Sequence, residues 1–273
     1  QAFNNTEFKK YNVDFSKFDE ILFYDFKNDV RDKTYDSADL YDLIVEFKRK
    51  VNYPDEKALT LKPEPGKNNL NVKKLNELMA NLRGIKTPDE LNLLRKAVTI
   101  SCIGQNEVMK AMKPGLSERE IQGIHEFVFK KYQAEEVGYP SIVGGGHNCC
   151  ILHYMENYKP AIDSKELVLM DLGAEYHGYT ADITRTIPAS GKFSTEQRQI
   201  YEIVLRAQEE AMKICKPGTT FAELTKITKD VVNQGLADLG IIPSVSTSHM
   251  YYPHGCCHHI GLDVHDKGPY DVL

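Results

Sequence analysis

Residues Leu167 to Pro188 read LVLMDLGAEYHGYTADITRTIP. Asp171 closes an apolar run (Leu167, Val168, Leu169, Met170), and Asp182 lies in a second β-rich run, Tyr179 to Ile187. The two runs predict a β-hairpin turning near Tyr176 and His177, in which residues whose numbers total 353 face one another. Asp171 and Asp182 are such a pair and stand side by side on one face. Adjacent carboxylates on a mostly buried sheet repel and desolvate each other, and a divalent cation removes both penalties.

A second block lies some eighty residues on, PHGCCHHIGLDVHD, from Pro253 to Asp266, and it holds four of the nine histidines. Carboxylate and imidazole together suit Mn, Co, Fe or Zn, and the excess of oxygen donors leans toward Mn. Cys256 and Cys257 are adjacent and lack the C-x₂₋₄-C spacing of a structural zinc site, so they read as packing residues.

Composition excludes several classes. A chain of 273 residues can bury a substantial core in one or two domains. A net charge of −5 without a Lys/Arg tract argues against a general nucleic-acid binder. No apolar run approaches the roughly 18 residues of a membrane span, and the N-terminal QAFNNTEFKKYN lacks a charged-then-apolar signal pattern. Six cysteines, two pairs of them vicinal, do not form a disulfide framework, which points to a reducing cytoplasm.

Residues before Gly84 carry one strand-like run, Glu20 to Tyr24, a helix candidate from Ala38 to Val51, and a Pro/Gly/Asn-rich linker from Lys62 to Asn69. Beyond Gly84, Thr87-Pro88-Asp89-Glu90 predicts a capped helix start, with Leu91, Leu94, Val98 and Cys102 on its apolar face. Ser117 to Glu120 starts another helix, with Ile121, Ile124 and Val128 inward. Ser194 to Gln197 and Thr220 to Glu223 repeat the capping pattern. Gly144-Gly145-Gly146 before His147 reads as a mobile loop and not a phosphate cradle, because no Gly-Lys-Ser/Thr follows. Arg185 is expected to pair with an acid near the carboxylates, His259 to point the other way, behind the site or at the surface, and Cys102, Cys149 and Cys150 to act as apolar fillers.

Two helix junctions are copies. EVMKAMKPGLSEREI from Glu107 and EAMKICKPGTTFAEL from Glu210 share seven of fifteen residues at an offset of 103. The first copy leads into the hairpin that holds Asp171. The same offset places a second hairpin at 270 to 291, so the chain is expected to stop at Leu273 just before it.

Ile151-Leu152-His153-Tyr154, Met170-Asp171-Leu172-Gly173, Tyr179 to Thr186, and His254-Gly255-x-x-His258-x-x-Gly261-Leu262-Asp263-Val264-His265-Asp266 occur in that order. From Gly84 to Leu273 the chain thereby resembles the aminopeptidase P and prolidase family, the pita-bread metallopeptidases that include methionine aminopeptidases. Within the family it is most like the bacterial Xaa-Pro aminopeptidases. The resemblance implies an α+β pita-bread fold with pseudo-two-fold duplication, C-terminally incomplete. Residues 84–273 would form the catalytic domain and residues 1–83 a partial N-terminal accessory domain and linker.

It further implies two divalent ions, usually Mn²⁺, with Co²⁺, Fe²⁺ or Zn²⁺ as alternatives. Asp171, Asp182 and His258 would be metal ligands, Asp182 bridging, and two later glutamates have no counterpart before Leu273. His153 and His265 would meet the substrate and its oxyanion, and His254 would line the proline side. The implied reaction is release of the N-terminal residue from peptides with proline second, by attack of a metal-bridging hydroxide. A prolidase acting on Xaa-Pro dipeptides and a non-catalytic binding module are the alternatives. The partner implied is a peptide, without nucleic acid or membrane, and a homo-oligomer is left open. With three of five ligands, this chain alone is expected to bind metal weakly and to show little peptidase activity.

Overall fold

The protein is described here by a computed structural model covering Glu7, residues 13–23, 40–51 and 70–271, and Leu273. Its contacts divide it into two compact units, Gln1–Ala80 and Asn81–Leu273. In the first unit β1 (Ile21–Leu22) pairs in parallel with β2 (Leu70–Asn71), and α1 (Leu40–Lys50) matches the expected helix. Phe15 and Phe23 pack their rings on Phe47 of α1. The linker from Lys62 to Asn69, residues 38 and 39, Tyr24, and all of the first twelve residues except Glu7 lie outside the described residues. The unit division falls within α2 (Val72–Gly84).

The second unit is built from two helix pairs and two small sheets. Four helices, α3 (Pro88–Ala111), α4 (Glu118–Lys131), α5 (Thr195–Ile214) and α6 (Phe221–Asp238), begin at the expected caps Thr87, Ser117, Ser194 and Thr220. In each, the cap hydroxyl accepts from the N3 amide while the N3 Glu or Gln reaches back to the cap amide, so two orphan donors are satisfied reciprocally. No helix among the described residues is long and apolar enough to cross a membrane.

Strands β4 (Ile142–Gly145), β5 (Leu167–Leu172) and β8 (Ile183–Pro188) form one antiparallel sheet. Strands β3 (Glu136–Val137), β6 (Ala174–Tyr176) and β7 (Tyr179–Thr180) form another. Val168, Met170 and Leu172 alternate along β5 to give the buried face, which packs with Ile100 and Val108 of α3 and Ile121 and Phe129 of α4. Leu167, Leu169 and Asp171 point to the other face. The Gln105 side-chain amide donates to the carbonyls of Met170 (3.2 Å) and Ile183 (2.8 Å), stitching α3 to both strands of the hairpin.

Three expectations are corrected. The hairpin turns one residue later, at His177-Gly178, both with positive φ (49° and 83°) as a type I′ turn requires. Paired residue numbers therefore total 355, and Asp171 lies opposite Thr184. The inner face of α3 is Ala97, Ile100, Ser101, Gly104, Gln105 and Val108, while Cys102 is exposed. Gly144 and Gly145 are buried in β4 opposite Leu169 and Val168, and Gly146 opens a 3₁₀ turn that runs to Cys150, so the glycines belong to regular elements and not to a mobile loop.

The duplication has a structural counterpart. Gly115 and Gly218 share the left-handed conformation (φ 92° and 94°) at the two Lys-Pro-Gly turns. The Gly115 amide donates to the Ile162 carbonyl (2.8 Å), and the Ile162 amide returns a bond to Leu116 (2.9 Å). Gly218 and Thr219 make the same exchange with Leu273, at 3.1 and 2.9 Å. Leu273 is thus the counterpart of Ile162, 111 residues on, so the offset of 103 holds for the helices and not beyond them.

Candidate metal centre

Shifting the hairpin register by two leaves every side chain on its original face. Asp171, on β5, and Asp182, just before β8, therefore still share one face, as diagonal neighbours instead of direct partners. Between them lies the hydroxyl of Tyr139, 2.5 Å from Asp171 Oδ1 and 3.2 Å from Asp182 Oδ1. The third arm comes from the segment after α6. His258 Nε2 is 3.1 Å from Asp182 Oδ2, and its Nδ1 is 2.8 Å from the His259 carbonyl.

The electrostatics divide the two acids. Burial, reinforced by the neighbouring carboxylate, holds Asp171 above the usual carboxylate range. The His258 hydrogen bond, acting against burial, holds Asp182 below it. The same bond raises His258 against its own burial. Tyr139 is pushed upward by burial and by both carboxylates and stays a neutral donor.

The remaining histidines gather around this core. The His265 ring lies 4.2 Å from that of His258, and His153 meets His254 at 5.8 Å. Burial and the His258 charge lower the pKa of His265, which is also within electrostatic reach of His153 and His254. His153 sits at positive φ (55°) on the loop that follows the 3₁₀ turn. All six residues singled out in the sequence thus come together: Asp171, Asp182, His258, His153, His254 and His265.

Three supporting groups were given no role in the sequence reading. Tyr139 is one. Glu118 is a second: completely buried, it accepts from the amides of Gly145 (2.7 Å) and Lys159 (2.9 Å), from Asn148 Nδ2 (2.9 Å) and from the Tyr154 hydroxyl (2.8 Å). It thereby clamps both ends of the segment that carries His153. Asp266 is the third, buried against Arg83 and Lys86, the latter at 3.2 Å. Its amide donates to the His259 carbonyl (3.0 Å), which holds the segment from His258 to Asp266 in a closed turn. A side chain at Gly261 would collide with the Asp266 carboxylate. Asp266 ends the quoted histidine motif, but no local signal gives the side-chain partners of any of the three, because those partners are distant along the chain.

Other expectations resolve differently. Arg185 is exposed, bonds to the Thr184 carbonyl and makes no ion pair among the described residues. His259 does lie behind the site, against Phe221, Tyr270 and the Pro269 carbonyl. Cys149 is half-buried, but Cys150 and Cys257 are exposed, so packing does not account for them.

The donor set fits a divalent cation: two carboxylates on a rigid hairpin and an imidazole whose Nδ1 is held by a backbone carbonyl, which directs Nε2 toward them. It is incomplete as it stands. Among the described residues no group of three His, Cys, Asp or Glu side chains has the spacing to hold an ion.

Residues 92–273 match the model for Metallopeptidase family M24, and the chain belongs to that family. It is 42% identical over 202 residues to the Xaa-Pro aminopeptidase of Haemophilus influenzae, a match covering 71% of this chain and 46% of that protein. Aminopeptidase P from Escherichia coli with the inhibitor Pro-Leu superposes with a TM-score of 0.66 at 38% identity, over 70% of this chain and 45% of that one. Zinc-substituted aminopeptidase P from Escherichia coli in complex with product superposes with a TM-score of 0.70 at 30% identity, over 97% of this chain and 58% of that one. The fold is therefore the α+β pita-bread fold of these relatives. The chain spans about half the length of the relatives it matches.

Proposed function

We propose that the protein carrying this chain is a metal-dependent Xaa-Pro aminopeptidase, releasing the N-terminal residue from peptides with proline in second position. The observation that carries it is the convergence of Asp171, Asp182 and His258 on one face of the hairpin. Asp171, Asp182 and His258 would hold two divalent cations, with Mn²⁺ favoured by the oxygen-rich set. Such ions supply Lewis acidity and lower the pKa of water when bound.

The chain's own groups do the rest. His265, its pKa lowered, is a neutral imidazole at neutral pH and can donate from its ring N–H to a developing oxyanion. His153 and His254, edge to face and both exposed, form a polar wall that orients the peptide, with His254 on the proline side. Glu118 and Asp266 hold the segments that carry His153 and His265. Residues 84–273 form the catalytic domain and residues 1–83 an accessory one. The relatives support the substrate and metal: one is named as binding Pro-Leu, another as zinc-substituted with product. Six free cysteines agree with a cytoplasmic setting.

The test is hydrolysis of an Xaa-Pro-Xaa tripeptide, with and without Mn²⁺, by the chain and by a form extended past Leu273. Mn²⁺-dependent release, abolished by Asp182→Ala, supports the reading. An extended, folded and Mn²⁺-loaded protein that leaves the tripeptide intact rejects it. Cleavage of an Xaa-Pro dipeptide alone makes the protein a prolidase.

A further inference from the structure

We propose that Tyr139 is the positioning residue of the metal centre, its one hydroxyl presetting both aspartates by holding their Oδ1 atoms, with Asp182 Oδ2 turned to His258, so that the pair is oriented before a cation binds. This rests on the metallopeptidase reading of the site. A phenol has a single proton, and here it is shared between two acceptors at unequal distance, 2.5 Å to Asp171 and 3.2 Å to Asp182. The shorter contact is in the range of a charge-assisted O–H···O⁻ bond. The other oxygen of Asp182 is occupied by His258, so each oxygen of that carboxylate already has a fixed direction.

The surrounding backbone is shaped to deliver the ring. Tyr139 lies between β3 and β4, and the Gly138 amide bonds to the Gly173 carbonyl at 2.8 Å. A Cβ on Gly173 would sit 2.8 Å from Tyr139 Cε1 and would also strike the Ala181 carbonyl. A Cβ on Gly138 would strike the Thr180 side chain. Three chain segments thus approach at van der Waals distance only because two of the contact residues are glycines, and the tyrosine ring fills the remaining space. Groups that hydrogen-bond to ligating side chains orient them before the ion arrives, and removing one typically weakens metal binding 10–100-fold.

The decisive experiment is a Mn²⁺ titration of the chain followed by water-proton relaxation, which reads dissociation constants into the millimolar range. Wild type, Tyr139→Phe and Asp182→Ala are compared, with the melting temperature of each measured without metal. Phe fills the same space, so Tyr139→Phe is expected to keep its metal-free melting temperature while its Mn²⁺ dissociation constant rises about 10–100-fold. Wild-type affinity in Tyr139→Phe, with binding lost in Asp182→Ala, overturns the role of Tyr139 and leaves the metal reading standing. Equal Mn²⁺ binding by wild type and Asp182→Ala, or binding by neither, overturns the metal reading itself. A Tyr139→Phe protein that melts well below wild type and recovers full affinity at lower temperature assigns the residue to folding and overturns the proposal.

Discussion

The helix pair α3–α4 and its copy α5–α6 share a frame and differ in what fills it. At equivalent positions 103 residues apart, Ile100 matches Ile203, Ile121 matches Leu224, and Phe129 matches Val232, all of them buried. Two other positions diverge. Glu118 opens α4 and clamps the His153 segment, whereas its counterpart Phe221 opens α6 and packs on His259 and Tyr270. His125, buried in α4 with neither ring nitrogen bonded, is replaced by Thr228, whose hydroxyl bonds to Leu224, Thr225 and Tyr252. The frame needs only shape and caps. The chemistry is set by the few positions where each copy meets a different neighbour.

The largest break in this symmetry should come from Glu118→Ala, which leaves the buried Gly145 amide and Tyr154 hydroxyl and the half-buried Lys159 amide unmatched. Each costs about 1–3 kcal/mol, so a loss of about 4 kcal/mol in urea unfolding is expected. Phe221→Ala should cost about 2 kcal/mol, since it forfeits partial burial and two ring contacts. Equal losses would mean that the two positions are interchangeable anchors.

Next in size is a pH effect confined to the first copy. Burial pushes His125 down to about 4. The unfolded chain binds that proton near pH 6.5 and the folded one does not, so stability is intact above that pH and falls as pH drops toward 4. The expected loss is about 3 kcal/mol. In His125→Leu this contribution should vanish, which unfolding curves between pH 7 and 4 would reveal; an unchanged acid limb would place the effect elsewhere.

The helix contacts themselves are tight in opposite senses. Gly104 of α3 admits His125 of α4, while Gly235 of α6 admits Ile203 of α5, and an added Cβ would lie 2.9 and 2.6 Å from those side chains. Overpacking should make Gly104→Ala and Gly235→Ala each cost about 2 kcal/mol despite better helix propensity. A gain in melting temperature from either change would show that the pair can spread. Smallest and most uniform should be the caps. Thr87→Ala, Ser117→Ala, Ser194→Ala and Thr220→Ala should each lose about 1 kcal/mol, with no difference between copies.

Local signals carried the fold far. All four capping boxes formed where Ser or Thr precedes Glu or Gln by three, and the apolar run from Leu167 marked β5, although its buried face of Val168, Met170 and Leu172 appeared only in the structure. The hairpin was legible but its register was not, because a His-Gly turn with both residues at positive φ is a weaker cue than Asn-Gly. The error was harmless to the site, since a shift of two keeps the acids on one face. The inner face of α3 was misread because close helix contact favours Ala, Ser and Gly over the larger apolar residues.

The sequence by itself determined the helix starts, the duplication and the residue types of the site, because caps, turns and motifs act over a few residues. Only the tertiary structure decided how those residues are held. Tyr139 reaches aspartates 32 and 43 residues away, and Arg83 reaches Asp263 across 180 residues. Hydrogen bonds of that span leave no periodic trace in the chain. They exist only once burial has closed the distance and removed the water that would otherwise satisfy each group.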